Sequence, residues 1–170
     1  INGRIRGVAG VVGCTNPRVK HDYVHVEMVK ELIKNDVLVV QTGCSQISLA
    51  KAGLLTPEAA HLAGPGLAEV CETVGMPPVL GLGSCVDNSR VYTIFGVTFP
   101  IVQDTKFQKL LFEGLESQQG LGKWDFEADP IKMAQKMIAH IDKKRKALGI
   151  DKARERVLMD MADRQKLEVA

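Results

Sequence analysis

Three times in its first 85 residues the chain builds a short apolar run, ends it in glycine, and then delivers a cysteine. The strings are VVGC at Cys14, VVQTGC at Cys44 and VLGLGSC at Cys85. Each run is valine-rich and too short for a helix, which reads as a buried β-strand. The cysteines are 30 and 41 residues apart. That is about one crossover unit each or a little more, and parallel strands need a crossover of about a dozen residues or longer. Strands alternating with helical stretches imply right-handed crossovers. Near-continuous apolar strands suit a sheet covered on both sides. The expected fold is α/β: an open, mostly parallel Rossmann-like sheet with helices on both faces and a helical C-terminal extension.

The elements follow from pattern. Residues Ile5 to Val12 read as the first strand, Val37 to Val40 as the second, Val79 to Leu82 as the third and Val91 to Val97 as the fourth. A helix is expected over Tyr23 to Lys34, where Val26, Val29, Leu32 and Ile33 keep helical spacing and Asp22 is a candidate N-cap. Ser45 to Ala52 is helical, with Gly53 behind it as a C-cap candidate. Thr56-Pro57-Glu58 opens a short helix with proline in its first position. Gly66 to Val74 is another, ended by Pro77-Pro78. Lys106 to Glu116 puts Phe107, Leu110, Leu111 and Leu115 on one face. Asp129-Pro130 opens a long helix that runs into the basic tract Lys143 to Lys146 and stops at Gly149. The tract sits where the helix dipole favours positive charge. Asp151 caps a last helix, Lys152 to Leu167. The expected division is a Rossmann-like cluster-binding domain over 1–150 and a C-terminal helix over 151–170.

Composition narrows the function classes. Of 170 residues 45% are hydrophobic, too many for a disordered chain. No apolar run approaches the ~18 residues of a membrane span. A net charge of +2, with no basic run interleaved with aromatics, gives no case for nucleic acid. The chain begins at Ile1 without an apolar signal segment. That is expected of a processed or trimmed chain, or of a piece of a larger one. Four cysteines in such a composition read as reduced thiols of a cytoplasmic protein.

In an open parallel sheet the carboxyl ends of the strands share one edge, and ligands bind there. Cys14, Cys44 and Cys85 therefore face one crevice. A lone cysteine after a strand is usually a small buried residue, but three in matched slots point to a shared metal or cluster. Each precedes a helical segment, where a helix N-terminus is expected to favour thiolate. The glycine before each cysteine permits a tight turn and the approach of a bulky ligand. Cys71, inside a helical stretch beside Val70 and Val74, reads as core packing. Three thiolates do not close a site. Structural zinc and iron–sulfur cubanes both want four ligands, and no CxxC pair exists. His21, His25 and His61 are candidates within the chain. His21 and His25 are four apart and could share a helix face, although Asp22 in place of glutamate departs from the HExxH pattern. Asp87-Asn88-Ser89-Arg90 reads either as a capping cluster or as hydrogen-bonding support for sulfur ligands.

The strings GVAGVVGCTNPRVKHDYVH, TGCSQISLAKAGLL and GSCVDNSR resemble the C-terminal Rossmann-like domain of the nickel-containing, anaerobic carbon monoxide dehydrogenases. The terminal WDFEADPIKMAQKMIAHIDKKRKALGI is similar to the end of that domain, so the resemblance covers nearly the whole chain. It implies an oxidoreductase that converts CO and water to CO2, two protons and two electrons at a Ni-Fe-S cluster of nickel, iron and sulfide. By motif position Cys14, Cys44 and Cys85 match three cysteine ligands of that cluster. The implied partners are the remaining domains of the same enzyme, which carry the other ligands and the 4Fe-4S electron-transfer clusters, a ferredoxin-like electron carrier, and a second copy in a homodimer.

The departures are as specific. The family's acid–base lysine lies in a segment that normally follows GSCVDNSR, but here Arg90 runs straight into Val91. Several tens of residues are missing there, and neither Lys106 nor Lys123 matches the lysine's motif. A chain of this kind is expected to hold cluster ligands but not to turn over CO alone. The alternatives are a non-catalytic metal or iron–sulfur domain like that of the hybrid cluster proteins, and a metal-free interaction module.

Overall fold

The structure, a computed structural model, describes residues 3–15, 20–87 and 129–168, with the side chains of 151–153 and 163–168 left aside. The expected strand Val91 to Val97 and helix Lys106 to Glu116 lie outside the described residues.

Strand β1 (Gly7–Val12) leads through α1 (Tyr23–Lys34) to β2 (Val37–Thr42). From β2 the chain passes through α2 (Gly43–Lys51), a 3-10 turn (Pro57–Leu62) and α3 (Pro65–Val74) to β3 (Val79–Gly81). A second 3-10 turn follows at Cys85–Asp87, and two 18-residue helices, α4 (Pro130–Ala147) and α5 (Asp151–Glu168), close the chain. The three strands form one parallel sheet in the order β1-β2-β3. Gly7 to Val12 lies in register with Val37 to Thr42, and Val39 to Gln41 with Val79 to Gly81. This is the α/β, open parallel, Rossmann-like architecture expected, with its helical C-terminal extension.

Strand side chains alternate between faces. Ala9, Val11, Val37, Val39 and Val79 occupy alternate positions and join one core with Val29, Leu32 and Ile33 of α1, Leu49 of α2, Leu67 and Cys71 of α3, and Ala134 and Ile138 of α4. The α1 residues Val29, Leu32 and Ile33 are fully buried, each contributing ~1.5–3 kcal/mol. On the other face Val40 is buried, Val8, Val12, Leu38 and Leu80 are half-buried, and Gly10 is exposed. Among the described residues no helix is long and apolar enough to cross a membrane.

Several element ends differ from expectation for local reasons. Asp22 holds the position before α1 but makes no side-chain cap; its backbone is left-handed, and its carboxylate turns away to α2. The second helix starts at Gly43, so Cys44 lies inside its first turn rather than ahead of it. Gly75, not the prolines, ends α3: at φ 73° its N–H reaches the Cys71 carbonyl. Asp129 caps α4 as expected, accepting from the Ile131 N–H at 3.0 Å. Arg145, read as part of a dipole-compensating tract, also donates to the carbonyls of Arg6 at 2.9 Å and Ile150 at 3.1 Å.

Candidate metal centre

The three glycine-cysteine steps fall at the carboxyl edge of the sheet, where β1, β2 and β3 end. Backbone bonds knit the loops after β2 and β3, and a side chain ties in the end of β1. The Gly43 N–H donates to the Gly83 carbonyl and the Leu82 N–H to the Gln41 carbonyl, both at 2.9 Å. The buried Ser45 hydroxyl lies 2.9 Å from the Val11 carbonyl and 2.8 Å from that of Thr42. Its single proton serves the ends of β1 and β2, so the first turn of α2 is held against the Cys14 loop. The Gly83 N–H also donates to Gln46 Oε1 at 3.0 Å.

These ties bring the thiols together. Cys14 and Cys85 are both near enough to Cys44 to act on its thiol. The Cys85 Sγ rests directly against Gly43, where any Cβ would collide with it. Gly43 is therefore required twice, by a φ of +64° and by the sulfur beside it. All four cysteines are free thiols: Cys14 and Cys85 exposed, Cys44 half-buried, Cys71 buried in the core as expected.

The electrostatics correct one expectation. Cys44 lies in the first turn of a helix, yet its thiol is pushed above the usual cysteine range. The causes are, first, Cys14, by charge and by hydrogen bond, then burial, then Cys85. Neighbouring thiols outweigh the helix terminus because a second negative charge at contact distance disfavours ionisation. A cation bound among them would reverse that balance.

The histidines do not complete the set. Asp22 is left-handed and α1 begins at Tyr23, so His21 and His25 share no helix face. His21 is exposed, with Nδ1 at 2.8 Å from Asp22 and Nε2 at 3.5 Å from Thr15, the neighbour of Cys14. His25 is buried and its Nδ1 has no partner among the described residues. The exposed His61 bonds the Glu58 carbonyl within the 3-10 turn. Among the described residues no three His, Cys, Asp or Glu side chains are grouped to hold a single metal ion. Asp87 folds back on Ser84, accepting from its N–H at 2.8 Å and its hydroxyl at 3.0 Å. That is the capping alternative of the two expected for this run; residues 88–90 lie outside the described residues.

Sequence reading missed Ser45 and the fully buried Gln41, whose amide nitrogen and oxygen both lack a partner among the described residues. A polar side chain between Val40 and Thr42 in a buried strand was the available signal for Gln41.

The family model described as "Prismane/CO dehydrogenase family" matches residues 1–96. Carbon monoxide dehydrogenase 1 of Methanosarcina acetivorans is 41% identical over 87% of this chain and 30% of its own length. Its namesake in Methanosarcina mazei is 40% identical over 88% of this chain and 31% of its own. A Ni-free crystal structure of the carbon monoxide dehydrogenase from Thermococcus sp. AM4 superimposes with a TM-score of 0.67 at 38% identity, covering 87% of this chain and 30% of that one. The chain thus spans about a third of the length of these relatives. The two alignments run over 192 and 193 positions, so the relatives carry several tens of positions with no counterpart here.

Proposed function

The chain belongs to the Prismane/CO dehydrogenase family, and on that footing we propose that Cys14, Cys44 and Cys85 are three ligands of a nickel–iron–sulfur cluster for interconverting CO and CO2. The observation that carries this reading is the convergence of three free thiols on the loop at Gly43. The donor set fits. Soft thiolates prefer iron–sulfur centres, and mutual repulsion among these thiols is what bound cations relieve. Among the described residues no group is set to hold a single ion, and a body with several metal atoms does not require one. When bound, such a group supplies Lewis-acid and redox chemistry.

The chain's own residues do the holding. Cys14 and Cys44 grip from the ends of β1 and β2, and Cys85 from the turn after β3. Gly43 gives up its side chain so that the Cys85 sulfur can close in. Residues 1–150 form the cluster-binding domain, with the helix over 151–170 laid against it. The remaining ligands come from other domains of the same enzyme, working in the cytoplasm as a homodimer and passing electrons to a ferredoxin-like carrier. The number of extra positions in the relatives agrees with a segment absent after Arg90, where the family's acid–base lysine lies. The chain on its own supplies cluster ligands but does not turn over CO.

Anaerobic reconstitution with iron, sulfide and nickel, followed by elemental analysis, tests this. Bound nickel with iron is expected, falling sharply in Cys44→Ser, with no CO-dependent viologen reduction by the chain alone. Metal content unchanged in Cys44→Ser would remove the ligand assignment. Iron without nickel would favour the non-catalytic iron–sulfur reading.

A further inference from the structure

Asp22 is in an unusual position for a residue at the start of a helix. An aspartate there normally accepts from the amides of the first turn from an extended rather than a left-handed backbone, although aspartate tolerates the latter better than most residues. Asp22 shows neither feature, with φ at +66° and no side-chain bond to its own helix. Its carboxylate instead reaches α2. One oxygen accepts from the Ser48 hydroxyl at 2.6 Å, and the other pairs with the Lys51 ammonium. His21 Nδ1 adds a third contact at 2.8 Å. Ser48 is buried, and its oxygen lies 3.0 Å from the Cys44 carbonyl. A hydroxyl has one proton, so the shorter, charge-assisted bond to the carboxylate takes it. The hydroxyl is thereby pinned from the α1 side, one turn below Cys44. His21, held by the same carboxylate, lies against Thr15, which follows Cys14. Asp22 thus bonds Ser48, one turn from Cys44, and reaches Thr15 beside Cys14 only through His21, without touching either thiol.

We infer that Asp22 is a positioning residue that locks the second half of α2, one turn beyond Cys44, to the start of α1 and so sets the separation of the Cys14 and Cys44 thiols. A left-handed backbone and a forfeited cap are the local costs, and the cross-helix tie is what they secure. This rests on the reading of the thiols as a joint site, but its test does not depend on metal.

The test uses dibromobimane, in which two thiolates each displace a bromide and fluorescence develops once both have reacted. The background is Cys85→Ser with thiols reduced, so that Cys14 and Cys44 are the accessible pair and Cys71 stays buried. Asp22→Gly removes the carboxylate and suits the left-handed backbone, separating the tie from the strain. Its cross-linking rate is expected to fall at least about fivefold, as lost proximity implies, with the melting temperature little changed. Asp22→Asn keeps an acceptor for Ser48 and tolerates the same backbone, and it should stay within about twofold of the parent. An unchanged rate in folded Asp22→Gly overturns the inference. Should that variant not fold, Ser48→Ala removes the tie from the other side, and an unchanged rate there overturns it equally. A parent protein that cross-links readily yet takes up no iron would remove the ligand reading and leave the role of Asp22 standing.

Discussion

Two aspartates, Asp22 and Asp36, take up left-handed backbone at opposite ends of the sheet. Asp36 lies just before β2, at the edge away from the cysteines, with 3% of its surface exposed. One oxygen accepts the Leu67 N–H at 2.9 Å, serving an amide that the first turn of α3 leaves unpaired. The other meets Arg154 of α5 at 2.5 Å. Arg154 also donates to the Arg4 carbonyl at 2.8 Å, and nearby Arg6 pairs with Asp142. At this edge charges are matched and committed to structure. At the cysteine edge Asp22 binds more openly, and Cys14 and Cys85 act on the Cys44 thiol. One end of the sheet is closed by ion pairs; the other is where the proposed cluster would be held.

Arg154→Ala is the strongest way to break that contrast. It strands a buried carboxylate and should cost ~3–5 kcal/mol in denaturant unfolding, while Cys14–Cys44 cross-linking in the folded protein stays as it was. A loss below ~1 kcal/mol, the range of exposed pairs, would mean that this edge is not held by the pair.

A matched pair of glycine substitutions comes next. Gly64→Ala drives a Cβ to 2.6 Å from the Lys34 carbonyl beside Asp36, and Gly43→Ala drives one into the Cys85 sulfur in a left-handed backbone. Both should cost ~1–3 kcal/mol. Only Gly43→Ala should change the labelling rate of Cys85, and equal effects of the two on that rate would erase the functional difference between the edges.

The smallest effect is a pH dependence. Burial pushes the His25 imidazole below its usual range, against a weaker opposing pull from Asp22. The unfolded chain therefore takes up a proton near pH ~6.5 while the folded one resists it. Stability is full above that pH and is lost as the pH falls through the lower folded value. His25→Gln should flatten the stability profile between pH 7 and 5, and an unaltered slope would show that His25 is not its source.

Much of this was legible in the residues. Helix α1 was bounded at Tyr23 and Lys34 by its spacing alone, and the strand–glycine–cysteine steps located the candidate site. Local pattern does less well where a side chain has a choice of partners. Asp22 reads as a cap because its immediate neighbours are a helix's first amides; Ser48 and Lys51, its actual partners, are 26 and 29 residues away. Arg145 reads as a charge on a helix end because nothing nearby in sequence says that the Arg6 carbonyl, just before β1, will lie beneath it.

What the sequence by itself determined was the class of fold and the shared edge of the three cysteines. Apolar strands separated by crossovers leave few arrangements, and parallel strands all end on one side. The tertiary structure decided which charges meet, how close the sulfurs come, and that Cys44 holds its proton more tightly despite its helix terminus. Those outcomes depend on distances between residues far apart in the chain, and electrostatic and hydrogen-bond energies vary steeply over just such distances.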